Sequence, residues 1–144
     1  MKIFNKKARF EYELTGTGVE AGISLKGAEA KSIREGRADL SNAFVKILNG
    51  EAYLVNANVP AQGLENYNST QTRKLLMHKS EIVALSVKSK QQKLQIVPVS
   101  LYNKARLIKV YLELGKPKRK FEKKEAIKRR DINRDIAGEL KGSI

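Results

Sequence analysis

The stretch Ala43-Phe44-Val45-Lys46-Ile47-Leu48-Asn49-Gly50-Glu51-Ala52-Tyr53-Leu54-Val55 decides the fold class. It sets two strand-like runs, 43–48 and 51–59, on either side of Asn49-Gly50, and both positions of that dipeptide accept the positive φ of a two-residue hairpin turn. An antiparallel hairpin is predicted here, and the flanking text supplies strands to join it.

Toward the N-terminus, Ala8, Phe10, Tyr12 and Leu14 alternate with Arg9, Glu11 and Glu13, which predicts a half-buried strand over 8–14. Gly16-Thr17-Gly18 reads as a turn. Val19, Ala21, Ile23 and Leu25 alternate again and predict a second strand ended by Gly27. Residues 28–35 read as a short helix, with Gly36 where a helix C-terminus favours left-handed backbone.

Toward the C-terminus, residues 60–72 lack periodicity and predict an exposed, mobile loop. A second helix is predicted over 79–90, with Ile82 and Leu85 on one face and Val83 and Val87 near it. Residues 94–101 and 107–114 form the last strand pair, with Asn103-Lys104 in the turn between them. In 107–114, Ile108, Val110, Leu112 and Leu114 face one way, and Lys109, Tyr111 and Glu113 the other. Pro98 cannot donate to a ladder, so it demands an edge or a bulge.

These elements predict a mainly β fold with flanking α: a small antiparallel OB-like barrel of about six strands, two or three helices and a basic C-terminal tail. The expected division is a barrel over 1–115 and a tail over 116–144. In the tail Ile132, Ile136, Leu140 and Ile144 recur every four residues beside Lys128, Arg129, Arg130 and Arg134. Such a cationic helix is marginal alone in water, so the tail is expected to be disordered when free and to fold on RNA.

Charge narrows the function. The 144 residues carry 29 Lys or Arg against 15 Asp or Glu, a formal +14, which points to a polyanionic partner, nucleic acid first. The charge is uneven: residues 116–144 hold eleven Lys or Arg against five Asp or Glu. The chain has no Cys, which excludes disulfides, thiolate catalysis and Cys-ligated zinc. No stretch approaches the roughly 18 apolar residues of a membrane span, and Met1 to Lys7 turns polar too early for a secretion signal. A cytoplasmic protein with no membrane partner is expected.

An enzyme reading finds little to use. His78 is the one histidine, so multi-His metal sites are out, and there is no P-loop. Gly16, Gly18 and Gly22 miss the dinucleotide fingerprint spacing. The expectation is no catalytic residue, no metal, no cofactor and no small-molecule substrate. Taken alone, His78 is a polar residue ahead of a helix.

Four blocks carry a resemblance. The first is Asn5-Lys6-Lys7-Ala8-Arg9, Tyr12, then Glu20-Ala21-Gly22-Ile23-x-Leu25-x-Gly27-x-Glu29-x-Lys31-Ser32-x-Arg34-x-Gly36-x-Ala38. Arg73-Lys74-Leu75-Leu76-x-His78-x-x-Glu81-Ile82 is the second, Pro98-x-x-Leu101-Tyr102 the third, and Leu112-x-Leu114-Gly115-Lys116 leads into the basic tail. In order and spacing the chain resembles the SmpB, or SsrA-binding protein, family. The resemblance implies a bacterial RNA-binding adaptor with an OB-type barrel. Its implied partners are the tRNA-like domain of transfer-messenger RNA (tmRNA) and the ribosome's small-subunit rRNA near the decoding centre. Its implied role is trans-translation, the rescue of stalled ribosomes, with the tail in the decoding centre and the empty mRNA channel.

Carried over by position, the implied tmRNA contacts are Glu20, Leu76 and His78, then Asn5, Arg9 and Tyr12. Leu76 and His78 offer apolar and aromatic surface to unstacked bases, and Glu20 accepts from base amino groups or orients a neighbouring cation. Lys31, Arg34, Lys74 and Lys79 would meet phosphates. In the tail, Gly115, Lys116, Lys118 and Arg119 resemble the family's hinge, and Phe121, Glu122, Lys123 and Lys124 its decoding-centre motif. Phe121 would stack on rRNA. Pro117 interrupts the hinge, Glu122 stands for Asp, and Lys124 stands for Arg and lacks its bidentate fork. Read from the residues alone, an rRNA-binding ribosomal protein or initiation factor with an OB barrel stays open as the alternative. So do a metal-dependent RNA nuclease and a duplex-DNA nucleoid binder.

Overall fold

The computed structural model describes residues 2–118. Seven strands and three helices follow in the order β1 Lys2–Phe4, α1 Ala8–Glu11, β2 Tyr12–Ile23, α2 Gly27–Arg34, β3 Phe44–Leu48, β4 Glu51–Val55, β5 Arg73–Leu76, α3 Lys79–Gln92, β6 Gln95–Lys104 and β7 Leu107–Pro117. Every neighbouring pair is antiparallel, in the order β1-β6-β7-β2-β5-β4-β3. β3 also lies against β6, so the sheet curls back on itself. The mainly β fold with flanking helices expected from the sequence is the one observed, with seven strands in place of six.

The β3–β4 hairpin turns at Asn49-Gly50 as predicted, with Asn49 at φ 52° and Gly50 at φ 76°, but β4 ends at Val55, short of the expected 59. Its inward positions, Ala52 and Leu54, meet Leu75, Leu101, Val110 and Leu112 in the core, all at most 1 % exposed. Ile33 of α2 closes the core from outside the sheet, and Ile82 of α3 packs against it.

Three expectations are corrected. Residues 8–14 are not one strand. The Asn5 side chain accepts from the Lys7 N–H (3.2 Å), the Asn5 carbonyl accepts from the Ala8 N–H (3.2 Å), and the turn so started runs on as α1. Gly16-Thr17-Gly18 does not end a strand. Gly16, at φ 81°, forms a bulge, and β2 resumes its pairing with β7 at Gly18. The predicted strands 8–14 and 19–25 thus give way to α1 and one long strand, which ends at Ile23, before Leu25. The last hairpin turns at Ala105-Arg106, not at Asn103-Lys104, both of which pair with β7.

The 60–72 segment is pinned to the body. The Tyr67 hydroxyl lies 2.5 Å from the Val59 carbonyl, and the Val59 N–H donates to the Ser69 carbonyl (2.9 Å). Beneath it lies a buried ion pair, Arg73 Nε to Glu29 Oε2 at 2.7 Å, with both side chains 2 % exposed. The other four Arg73 donors reach the carbonyls of Ala57, Gln71 and Ser69 and the Tyr67 hydroxyl, so all five guanidinium N–H groups are satisfied. Pro98 meets its demand through a register shift between Pro98 and Ser100, clamped by Asn5 Nδ2 donating to the Pro98 carbonyl (2.8 Å).

Candidate nucleic-acid interface

Residues directly opposite in antiparallel strands share a face. The register therefore draws two rows across the outer face of the sheet. One row runs Lys2 (β1), Tyr102 (β6), Lys109 (β7), Gly22 (β2), Leu76 (β5). The next runs Phe4, Ser100, Tyr111, Glu20. At about 4.8 Å per strand gap, the longer row spans roughly 19 Å. Leu76 is 56 % exposed on this face, and Gly22 makes room for it, since a Cβ there would stand 3.2 Å from Leu76 Cβ. β5 leaves β2 after Leu76, and two residues later His78 caps α3, exposed, with its backbone N–H donating to Glu81 Oε1 (3.1 Å).

Glu20 does not stand free. The Tyr102 hydroxyl donates to its Oε2 at 2.5 Å and Lys104 Nζ lies 3.4 Å away. The Tyr102 hydrogen bond, helped by Lys104 and Lys109, holds the Glu20 carboxyl below the usual carboxylate range despite partial desolvation. Burial and the Glu20 carboxylate push the Tyr102 phenol up. Exposed carboxylates are few on this face, whereas Lys2, Lys104 and Lys74 project from it, Lys74 with a loose partner in Glu51 (3.6 Å).

The other expected residues fall elsewhere. Arg34 donates to the Arg106 carbonyl (3.1 Å), which brings the end of α2 to the β6–β7 turn. Lys31 on α2 and Lys79 at the start of α3 are exposed. Asn5 is 9 % exposed and occupied by the fold at both ends of its side chain. Arg9 is exposed on α1, and Tyr12 is half-buried, its hydroxyl donating to Gln95 Oε1 (2.9 Å). Tyr12 pairs with Pro117 while Glu20 pairs with Tyr111, so the Tyr12 group sits about 20 Å along the sheet from Glu20.

That far end is where the chain leaves the sheet. Lys116 and Pro117 pair with Glu13 and Tyr12, and the Lys118 N–H donates to the Glu11 carbonyl (2.9 Å), so strand pairing continues two residues past 115. Gly115 lies buried within β7, where a Cβ would crowd Tyr12, Leu14 and Val97 at 3.0–3.3 Å. Arg119, Phe121, Glu122, Lys123, Lys124, Lys128, Arg129, Arg130 and Arg134 lie outside the described residues.

Sequence reasoning passed over Lys2, Phe4, Tyr102, Lys104, Lys109 and Tyr111 as site residues. The signal was present in β7, where Lys109 and Tyr111 share the outward positions, but only strand order shows that β1 and β6 bring further cations and rings alongside. A concavity of about 630 Å³ between α3 and β3, of mixed polar and apolar lining, lies away from these rows.

The model of the family described as "SmpB protein" matches residues 2–142. The chain belongs to the SmpB family. Its relatives in this family include the SsrA-binding proteins of Thermosipho melanesiensis, 45% identical over 99% of this chain and 100% of that one, and of Enterococcus faecalis, 41% identical over 96% and 92%. Among solved structures it is similar to a chain from "tmRNA-SmpB: a journey to the center of the bacterial ribosome", with a TM-score of 0.68 and 38% identity over 88% of this chain and 94% of that chain. Among the described residues no helix is long and apolar enough to cross a membrane, and no three His, Cys, Asp or Glu side chains gather as a metal site.

Proposed function

We propose that this protein is the tmRNA-binding adaptor of trans-translation: it binds the tRNA-like domain of tmRNA and delivers it to stalled ribosomes. The SmpB relatives and the likeness to a tmRNA-SmpB chain support the partner class. One observation carries the RNA interface: the two rows bring Glu20 and Leu76 onto a single face with tyrosines and lysines, and His78 stands at its rim. Rings and Leu76 take unstacked bases, lysines take phosphates, and a pre-oriented carboxylate accepts from base amino groups. Lys31, Arg34, Lys74 and Lys79 add phosphate contacts around that face. Arg9 and Tyr12, positioned by Asn5, mark the root of the tail, at the far end of the sheet. The basic residues from Lys116 onward serve the ribosome, where the tail occupies the decoding centre and the empty mRNA channel.

The role asks no covalent chemistry of any side chain, and it belongs to the cytosol, where ribosomes work. The test is the affinity for the tRNA-like domain against an unrelated structured RNA of equal length, at physiological salt so that general phosphate binding is suppressed. A preference of about a hundredfold or more is expected, since specific recognition exceeds non-specific binding by orders of magnitude. Equal affinity would overturn the adaptor reading in favour of a direct rRNA binder.

A further inference from the structure

Phe4 is 59 % exposed on β1, the edge strand of the sheet. It pairs with Ser100 on β6, and Ser100 is itself buried, so nothing tall stands beside the ring from that position. Lys2 Nζ lies 5.2 Å from the centroid of the Phe4 ring and 5.7 Å from that of Tyr102. One ammonium thus sits over two rings, an arrangement that marks their faces as accessible to cationic or stacking partners. Lys104, exposed on β6, is the next cation along.

We propose that Phe4 and Tyr102, flanked by Lys2 and Lys104, form a base-stacking platform at the β1 edge that takes an unstacked nucleobase of the same RNA and its phosphates. The proposal rests on the adaptor reading above and assigns a specific task to the β1–β6 end of its interface. Continuity argues for it: Phe4 shares a row with Glu20, and Lys2 shares one with Leu76. Charge argues for it as well, because Glu20, the carboxylate in the same row as Phe4, is already engaged by Tyr102 and Lys104, which leaves Lys2 to face a polyanion. A base stacking on Phe4 displaces the Lys2 ammonium, which is then free to meet the adjoining phosphate. Every base offers a π-face, so the platform adds affinity with little sequence preference.

The experiment is a titration of the full chain with the tRNA-like domain of tmRNA, for wild type, Phe4→Ala, Phe4→Leu and Phe4→Tyr, each checked by thermal melting. Stacking on one aromatic ring corresponds to a loss of about fivefold to 150-fold on truncation. Phe4→Ala and Phe4→Leu should both show such a loss, while Phe4→Tyr stays near wild type. The salt dependence should be unchanged in Phe4→Ala and shallower by about one phosphate in Lys2→Ala. Wild-type affinity in Phe4→Leu would reduce the ring to mere apolar cover and overturn the platform. So would unchanged RNA affinity in Phe4→Ala, with or without a change in self-association by sedimentation; with such a change the edge is a contact between copies of the chain. If the wild type itself shows no preference for the tRNA-like domain, the adaptor reading falls and the platform falls with it.

Discussion

The Tyr102 hydroxyl on β6 donates to the Glu20 carboxylate on β2, reaching over the intervening strand β7 at 2.5 Å. Glu20 is thereby held in one rotamer, so the proposed recognition of RNA need not order it. Tyr102→Phe removes the donor and leaves the ring. The Glu20 pKa should then rise back toward its ordinary value of 4.5, read by carboxyl NMR titration, and tmRNA affinity should fall. The loss should be about fivefold, the net worth of one ordinary hydrogen bond. Glu20→Gln combined with Tyr102→Phe should lose no more than Glu20→Gln alone, since both act through one contact.

The buried pair Glu29–Arg73 sets the acid limit of the fold. Burial disfavours the Glu29 carboxylate, but hydrogen bonds from the Lys26 N–H, Arg73 and Gln71 together outweigh it and hold the carboxyl below its ordinary value of 4.5. A carboxylate with a lowered folded pKa stabilises the fold fully above its unfolded value and loses that contribution as pH falls through the lower folded value. Urea midpoints should therefore decline below about pH 4.5 in the wild type, and more shallowly in Glu29→Gln. At pH 7, Glu29→Ala leaves the Arg73 guanidinium buried without its counter-charge, which should cost about 3–5 kcal/mol by urea denaturation.

How far the sequence foretold this arrangement depended on where charges pointed. The hairpin is legible from its Asn49-Gly50 turn, and the last strand from inward Ile108, Val110, Leu112 and Leu114 alternating with Lys109, Tyr111 and Glu113. β5 was not, because Arg73 occupies an inward position and hides the alternation; only its partner Glu29, 44 residues away, makes that burial tolerable. β1 has three residues, too few for any period. α1 is masked in the sequence because Ala8, Phe10 and Tyr12 alternate as a strand would, while the Asn5 side chain that starts the turn is also held by Pro98, 93 residues on. The proposed RNA face is half legible: the family blocks carry Glu20, Leu76 and His78, but that Tyr102 and Lys104 reach Glu20 is a property of strand order.

Gly18 keeps Tyr111 on that face. A methyl group there would collide with the Tyr111 ring and the Leu112 carbonyl, and the backbone cannot yield without breaking the β2–β7 ladder beyond the bulge. Gly18→Ala should destabilise by about 1–3 kcal/mol, the usual result of overpacking. Tyr111→Ala in the same background relieves the clash, so the double variant should recover part of that loss in thermal melting while remaining weaker than wild type in RNA binding.

The last described hydrogen bond of the chain, Lys118 N–H to the Glu11 carbonyl, completes the β2–β7 edge. Removing residues 119–144 therefore costs the sheet none of its described rungs, and the rows from Lys2 to Leu76 lie at the other end of the strands. The removed segment carries nine Lys or Arg against five Asp or Glu, so its loss should weaken general RNA binding at low salt. At physiological salt that contribution is screened, and affinity for the tRNA-like domain should stay within about threefold of wild type. Tagging of nascent chains on stalled ribosomes should be abolished in the same variant, because the proposed decoding-centre and channel contacts would be gone. His78→Ala should do the reverse, losing about 1–3 kcal/mol of specific RNA affinity while keeping ribosome contacts. A truncated chain that lost the tRNA-like domain as strongly as His78→Ala would show that one continuous surface serves both partners.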